Sequence, residues 1–444
     1  MPSDALTQSL PFDPADAKAA LAQLPHADAV FALYGADAHA EPYIGRTPNL
    51  HSRLERLLQP SAKHPRRLQL AGRVRRIEYR LTGSDFESLL LQFALIEKVY
   101  GPRALERMHL GAPTFIRYLG SNTYPRITVT NRPSQREADW AYGPFPSRAA
   151  AERFAEEALK LFLLRRCTDD LDPNPAHPGC VYSEMKMCLA PCYQGCTDQR
   201  YSEEATAVEQ FLATRGESRL VTLRAKRDEA SAQLEFESAA ALHAQVQRVQ
   251  GIRALATELV RPLSRLRGVI LQPSANPGEV AVFLFESSQL RGPVAFSTLG
   301  MRIQNEQSGS SSLFAQPLAM EPVPESEESR EQGTGNNRAS LVEVGAIDEL
   351  VREPSSVPLS RAPHGMLEAR LDGVLTALNE SMESPTATIR QGHLSLLKRW
   401  YYRSEARRCG EIFFPDDEGS WPLRAILRGV GRVAAKAIAA SSRS

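Results

Sequence analysis

The sequence predicts an α+β protein built from several domains, and three observations carry that reading. A chain of 444 residues is long enough for about three domains of ordinary size. Short runs such as Ala29-Val-Phe-Ala-Leu-Tyr34 and Val74-Arg-Arg-Ile-Glu-Tyr-Arg80 have the apolar or alternating character of strands. Residues 203–258 are almost free of Gly and Pro and rich in Ala, Glu, Gln, Leu and Arg, which is helical composition.

Taken in order, residues 26–110 read as a small α/β unit. Its strands are expected at Ala29–Tyr34, at the end of Pro42–Gly45, and at Val74–Arg80. Between them Leu50, Leu54, Leu57 and Leu58 share one helical face, and Asp85 is expected to cap a long apolar helix running through Leu89, Leu90, Leu91, Leu95 and Ile96. Residues 111–202 hold a short strand at Pro125–Thr130 and an amphipathic helix expected from Arg148 to Leu164, which delivers Cys167. Residues 203–258 are expected to fold as an antiparallel helical hairpin interrupted at Gly216. Residues 265–302 form a short β unit of two strands, Gly268–Leu271 and Val280–Phe285, joined by the turn-rich Pro273–Gly278. Residues 303–340 have the composition of a disordered linker. Residues 341–444 read as mainly helical and basic, with the aromatic patch Lys398-Arg-Trp-Tyr-Tyr-Arg403.

Composition excludes some classes. The N-terminus has no basic segment followed by an apolar run, and no stretch reaches the roughly 18 apolar residues of a membrane span. The expectation is a soluble, cytoplasmic chain. The net charge of +1 is uninformative, but its distribution is not: between Arg46 and Arg80 ten Lys or Arg face only Glu55 and Glu78. Such a basic face suits phosphate binding, with Arg66, Arg67, Arg73 and Arg75 as candidate DNA contacts; an ordinary solvated arginine-rich surface is the plain alternative.

Four of the six cysteines cluster: Cys167, Cys180, Cys188 and Cys192, separated by twelve, seven and three residues. In a reducing compartment four neighbouring thiols suit one tetrahedral zinc or one iron–sulfur cluster rather than disulfides. Cys196 is a spare thiol, and Cys409 lies far along the chain.

Tyr43-Ile-Gly-Arg46, followed by Asn49-Leu50 and Arg53, resembles the second half of the GIY-YIG nuclease signature. The apolar helix, Tyr142-Gly-Pro-Phe145, the run Cys188-Leu-Ala-Pro-Cys192 and Leu234-Glu-Phe-Glu-Ser-Ala-Ala-Ala-Leu242 follow in the order found in UvrC, the C subunit of the bacterial repair excinuclease. The resemblance covers residues 26–255. It implies a nucleotide-excision-repair protein that binds lesion-bearing double-stranded DNA and UvrB, with UvrA acting indirectly. It further implies a 4Fe-4S cluster on Cys167, Cys180, Cys188 and Cys192, with zinc as runner-up. The UVR-like run would bind UvrB through Leu234, Phe236 and Leu242, with Phe236 as anchor.

In the nuclease reading Tyr43 helps to activate water, Arg53 steadies the phosphate, Arg46 replaces the family's lysine, and Mg²⁺ would be held at position 92. Three positions depart from the family. Phe31 stands where a tyrosine is expected, Gln92 where the metal-binding glutamate is expected, and Leu105 near the expected asparagine. A neutral amide is a poor Mg²⁺ ligand. No Asp in the context of the family's second, RNase H-like nuclease is found in residues 265–444. The two functional expectations are therefore a weakly incising endonuclease and, as the alternative, an inactive adaptor that binds DNA and UvrB.

Overall fold

In a computed structural model of the chain, the described residues are 5–37, 39–58, 70, 72–132, 139–168, 171–301, 364–380 and 385–441. The expected linker at 303–340 and the candidate DNA contacts Arg66 and Arg67 lie outside them. Among the described residues, helices and three antiparallel four-stranded sheets combine in an α+β architecture.

The first sheet has the order β1-β4-β2-β3, from β1 (Gln8–Pro11), β2 (Ala29–Gly35), β3 (Tyr43–Thr47) and β4 (Val74–Leu81). Strand alternation turns Ala29, Phe31 and Leu33 to one face, where α1 (Ala17–Ala22) and α2 (Leu50–Leu58) cover them with Leu21, Leu50, Leu54 and Leu57. Val30 takes the other face, against Leu91 and Leu95 of α3 (Asp85–Tyr100). Ser84, not Asp85, caps α3: its hydroxyl accepts from the Glu87 N–H at 3.1 Å. Asp85 is turned to other partners, described below. After α3 comes the short α4 (Ala104–Arg107).

The second sheet, β6-β5-β7-β8, uses β5 (Thr114–Leu119), β6 (Arg126–Thr130), β7 (Asp139–Phe145) and β8 (Arg261–Pro262). Its core is shared with α5 (Arg148–Leu159), α7 (Asp198–Ala213), α8 (Glu217–Ala232) and α9 (Phe236–Arg253), while the small α6 (Val181–Glu184) lies in the cysteine segment. At Gly143 of β7 (φ 155°) a side chain would meet the Phe115 ring at 2.8 Å, so the close approach of β7 to β5 requires glycine. Helix α5 stops at Leu159 rather than reaching Leu164. Beyond it the chain's hydrogen bonds go elsewhere: Leu163 N–H donates to the Glu204 carboxylate at 2.7 Å and Arg165 N–H to the Tyr201 hydroxyl at 3.1 Å.

The expected hairpin is present, but its reversal is not at Gly216. That glycine separates α7 from α8; the antiparallel pair is α8 and α9, and the chain turns at Leu234, which has φ 62°. Leu220, Leu223, Val246, Val249 and Ile252 bury the base of the hairpin in the second core, and the residues from 231 to 238 are all exposed.

The third sheet, β11-β10-β9-β12, joins parts that the sequence kept separate. It comprises β9 (Gly268–Pro273), β10 (Glu279–Glu286), β11 (Gln289–Ser297) and β12 (Glu411–Phe413). Sequence reading gave the β unit two strands; it has a third in β11 and a fourth from the C-terminal region, with Ile412 opposite Ile270. Val280, Val282 and Leu284 of β10 face α10 (His364–Asn379) and α12 (Leu423–Ser441). Ala281, Phe283 and Phe285 face α3 and α11 (Ala387–Tyr401). Both faces are covered, which is why β10 reads as an unbroken apolar run. Helix α3 is buried between the first and third sheets, which explains its near-continuous apolar sequence. No helix among the described residues is long and apolar enough to cross a membrane.

Candidate functional site

Of the residues expected to form a nuclease centre, Tyr43 and Arg53 come together. Tyr43 lies on β3 and Arg53 on the helix that follows, and the Arg53 guanidinium donates to the Tyr43 hydroxyl at 3.4 Å. Phe31 faces the same side of the sheet, fully buried, with its ring 6.2 Å from that of Tyr43. Gly45, opposite Phe31 in the ladder, carries no side chain because the Phe31 ring occupies that space.

Arg46 does not join this pair. It alternates to the opposite face of β3, where its guanidinium pairs with Asp85 at the start of α3. The second Asp85 oxygen binds Arg403, 2.6 Å away and just past α11, so one carboxylate ties two cations from distant parts of the chain. Gln92 is partly buried on α3 and supplies an amide, not a carboxylate. Glu87, five residues before Gln92 on α3, is buried and accepts from Gly83 N–H at 2.9 Å; burial raises its carboxyl above the ordinary range. Its role is to hold the start of the helix. Tyr34, on the face opposite Phe31, lies under the Arg76 guanidinium, 4.4 Å from the ring centre. Arg73 and Arg75 are exposed, and Arg75 donates to the Gly72 and Val74 carbonyls.

The four clustered cysteines converge. Cys167, Cys180, Cys188 and Cys192 line one small cavity of about 10 Å³ together with Arg165, Arg166 and Tyr182. Backbone geometry brings them there: Cys180 opens α6, while Ala190, in left-handed conformation, turns the chain between Cys188 and Cys192. Ala190 N–H donates to the Cys188 sulfur at 3.2 Å, and Arg165 lies 3.7 Å from the Cys167 sulfur. Burial pushes the Cys188 thiol up to about 11 and also raises Cys192. As they stand, no three His, Cys, Asp or Glu side chains among the described residues are placed to hold a metal ion. The donor chemistry nonetheless fits a thiolate-held group: four sulfurs on one cavity, with N–H donors aimed at two of them. Cys196 packs instead against the second core, and Cys409 is exposed.

The hairpin divides its apolar residues. Phe236 is 67% exposed and Leu234 71%, side by side at the tip. Leu242 is partly buried against the second core, so it supports the hairpin rather than standing free with them. The left-handed conformation of Leu234 is a position where glycine, lacking Cβ, costs less. At the first sheet, the Asp85 bridge has no signal in the sequence, because Arg46, Asp85 and Arg403 share no local pattern.

Comparison with known proteins matches the second core and the hairpin. Residues 115–211 match the family described as UvrC/Cho excinuclease, middle domain. Residues 217–252 match the UvrB/uvrC motif, which coincides with α8 and α9. UvrABC system protein C of Alcanivorax borkumensis is 30% identical over 211 residues, 48% of this chain and 34% of the relative. The Haemophilus ducreyi protein of the same name is 30% identical over 241 residues, 54% of this chain and 38% of the relative. That of Haemophilus influenzae is 31% identical over 240 residues, 53% and 38% respectively. The chain thus spans little more than a third of the length of these relatives. No solved structure matches it. A middle domain and the helical pair whose base shares its core, adjacent in sequence, are the parts of this chain that are similar to UvrC proteins.

Proposed function

We propose that the protein acts in nucleotide excision repair as a factor that docks on UvrB through the tip of the α8–α9 hairpin and holds lesion-bearing duplex DNA, with UvrA involved only through UvrB. The observation that carries the reading is the pair of large apolar side chains, Leu234 and Phe236, exposed at the end of a hairpin whose base is packed. A partner that presents an apolar hairpin of its own would bury both. The test is binding of UvrB by Phe236→Ala. A central aromatic anchor contributes about 2 kcal/mol or more, so affinity should fall at least about 30-fold. Melting should change little, because the ring is already mostly in water. Unchanged affinity would sink the partner assignment.

The first sheet serves as a DNA-holding surface rather than an efficient cutter. Position 92 offers no anionic ligand, and Arg46 is committed to Asp85 on the face opposite Tyr43. A second reading, weak Mg²⁺-dependent incision, is favoured by the Tyr43–Arg53 contact. The two separate in a nicking assay with UvrA and UvrB in Mg²⁺ and Mn²⁺. The adaptor reading expects no cutting by the wild type and none by Gln92→Glu. Cutting that rises in Gln92→Glu establishes the weak nuclease instead.

The four cysteines would hold a 4Fe-4S cluster, which would tie the segment after α5 to the start of α7. Anaerobically purified protein should be brown, with sulfur-to-iron charge-transfer absorption. One stoichiometric zinc in a colourless protein would replace that assignment.

A further inference from the structure

Arg215 and Arg261 act on each other where the second sheet joins the base of the hairpin, and Tyr401, with Arg408 over its ring, reaches the same place from the C-terminal region. Arg261 lies on β8 opposite Gly143, beside Tyr142. Arg215 follows the end of α7 in left-handed conformation, φ 53°, at a position where glycine or asparagine is the cheaper choice. Its positive charge acts on the buried Tyr142 hydroxyl. Arg253 of α9 lies across Gly216, where a Cβ would stand 2.9 Å from its Cγ. From the C-terminal side, the Arg408 guanidinium lies 5.3 Å from the centre of the Tyr401 ring, and Tyr401 is within Coulomb range of Arg261.

These charges are unevenly answered. Arg253 pairs with Glu217 at 2.7 Å. Among the described residues Arg215, Arg261 and Arg408 form no ion pair; Glu258 and Asp417 act on Arg261 only at longer range. Arg261 donates to the Glu258 carbonyl at 2.8 Å and Arg408 to the Tyr401 carbonyl at 3.1 Å, which satisfies hydrogen bonds and leaves the charges uncancelled. Burial, reinforced by the Arg215 charge, lowers the Arg261 guanidinium to about 10. Holding like charges together in a partly buried place is unfavourable unless an anion comes between them.

Aromatic faces flank the cations. Phe414 lies under Arg261, 4.0 Å from guanidinium carbon to ring centre. Phe414 and Tyr401 both rest on the core beneath and keep part of their surface open. Cations that track a phosphate backbone, interleaved with rings on which bases stack, are what a single nucleic-acid strand needs. We infer that Arg215, Arg261 and Arg408, flanked by Tyr401 and Phe414, form a site for the phosphodiester backbone of a nucleic-acid strand. The inference rests on the DNA-binding part of the function proposed above and assigns it a surface remote in sequence from the basic face of the first sheet.

The test uses the full chain alone and a fluorescent single-stranded oligonucleotide, with anisotropy read over a series of salt concentrations. Arg215→Gln and Arg408→Gln should each weaken binding several-fold and reduce the salt slope by about 0.7 per lost phosphate contact. Arg215→Lys should keep most of the slope. Arg148→Gln, an exposed arginine of α5 paired with Glu152, should change neither quantity. Unchanged slopes in the two site variants, with melting curves like the wild type, would overturn the site while leaving DNA binding elsewhere intact. An equal loss in Arg148→Gln would reduce it to general charge. Displacement of the oligonucleotide by polyglutamate at equal charge would assign the surface to an acidic peptide, and displacement by dilute inorganic phosphate to a free anion; either overturns the proposal. No binding of the oligonucleotide by the wild type would overturn the site and leave the holding of duplex DNA by the first sheet untouched.

Discussion

His393 offers a direct test of how α11 packs against the rest of the molecule. It is 7% exposed, its Nδ1 accepts from the Leu290 N–H at 2.9 Å, and its ring meets Phe93 edge-on at 5.5 Å. Desolvation lowers its pKa from the ordinary 6.5 to about 4. Between those two values the unfolded chain binds the proton and the folded chain does not, so stability rises with pH across the window and is lost as pH falls from about 6.5 toward 4. Two and a half pH units at about 1.4 kcal/mol each give roughly 3.5 kcal/mol in full, of which about 2 kcal/mol is gone by pH 5. His393→Asn keeps an acceptor for Leu290 N–H and removes the titration. Urea unfolding at pH 7.5 and pH 5 should therefore show the wild type losing about 2 kcal/mol more than the variant over that interval. Equal losses in the two proteins would refute the claim that His393 is folded as the neutral imidazole.

Other substitutions probe the remaining contacts. Gly45→Ala places a Cβ 2.7 Å from the buried Phe31 ring, and should cost about 1–3 kcal/mol in denaturant unfolding because neither neighbour can retreat. Phe31→Tyr should destabilise as well, since its new hydroxyl enters that same closed contact. Asp85→Asn releases Arg46 and Arg403; with all three partly exposed, stability should change by less than about 1 kcal/mol, while DNA affinity and its salt slope should rise. Leu234→Gly should leave melting unchanged or slightly raised, as the left-handed strain is relieved, yet weaken UvrB binding measured by calorimetry.

Local pattern made much of this protein legible. Three of the four strands of the first sheet, the four leucines of α2, the apolar helix α3 and the helical composition of the hairpin stand in the sequence because period and propensity are properties of short segments; β1 (Gln8–Pro11) was not foreseen. The cysteine convergence was legible for the same reason: three of the four thiols lie within thirteen residues, and the fourth follows the helix that delivers it. Boundaries were less visible. Helix α5 stops five residues early because Glu204 and Tyr201, distant in sequence, take the backbone N–H groups that would have continued it. The hairpin turns at Leu234 rather than at Gly216, since a left-handed leucine gives no compositional signal.

The sequence by itself therefore determined the class, several of the elements and the clustered thiols. Tertiary structure alone decided which elements share a core. The C-terminal strand β12 completes the third sheet, and α3 is buried between two sheets that its own sequence cannot name. It also decided which charges are answered: Arg46 is neutralised by Asp85, whereas Arg215 and Arg261 act on each other with no ion-pair partner among the described residues. The reason is physical. Periodicity acts over a few residues, whereas burial and Coulomb energy depend on distances in space that only the folded chain sets.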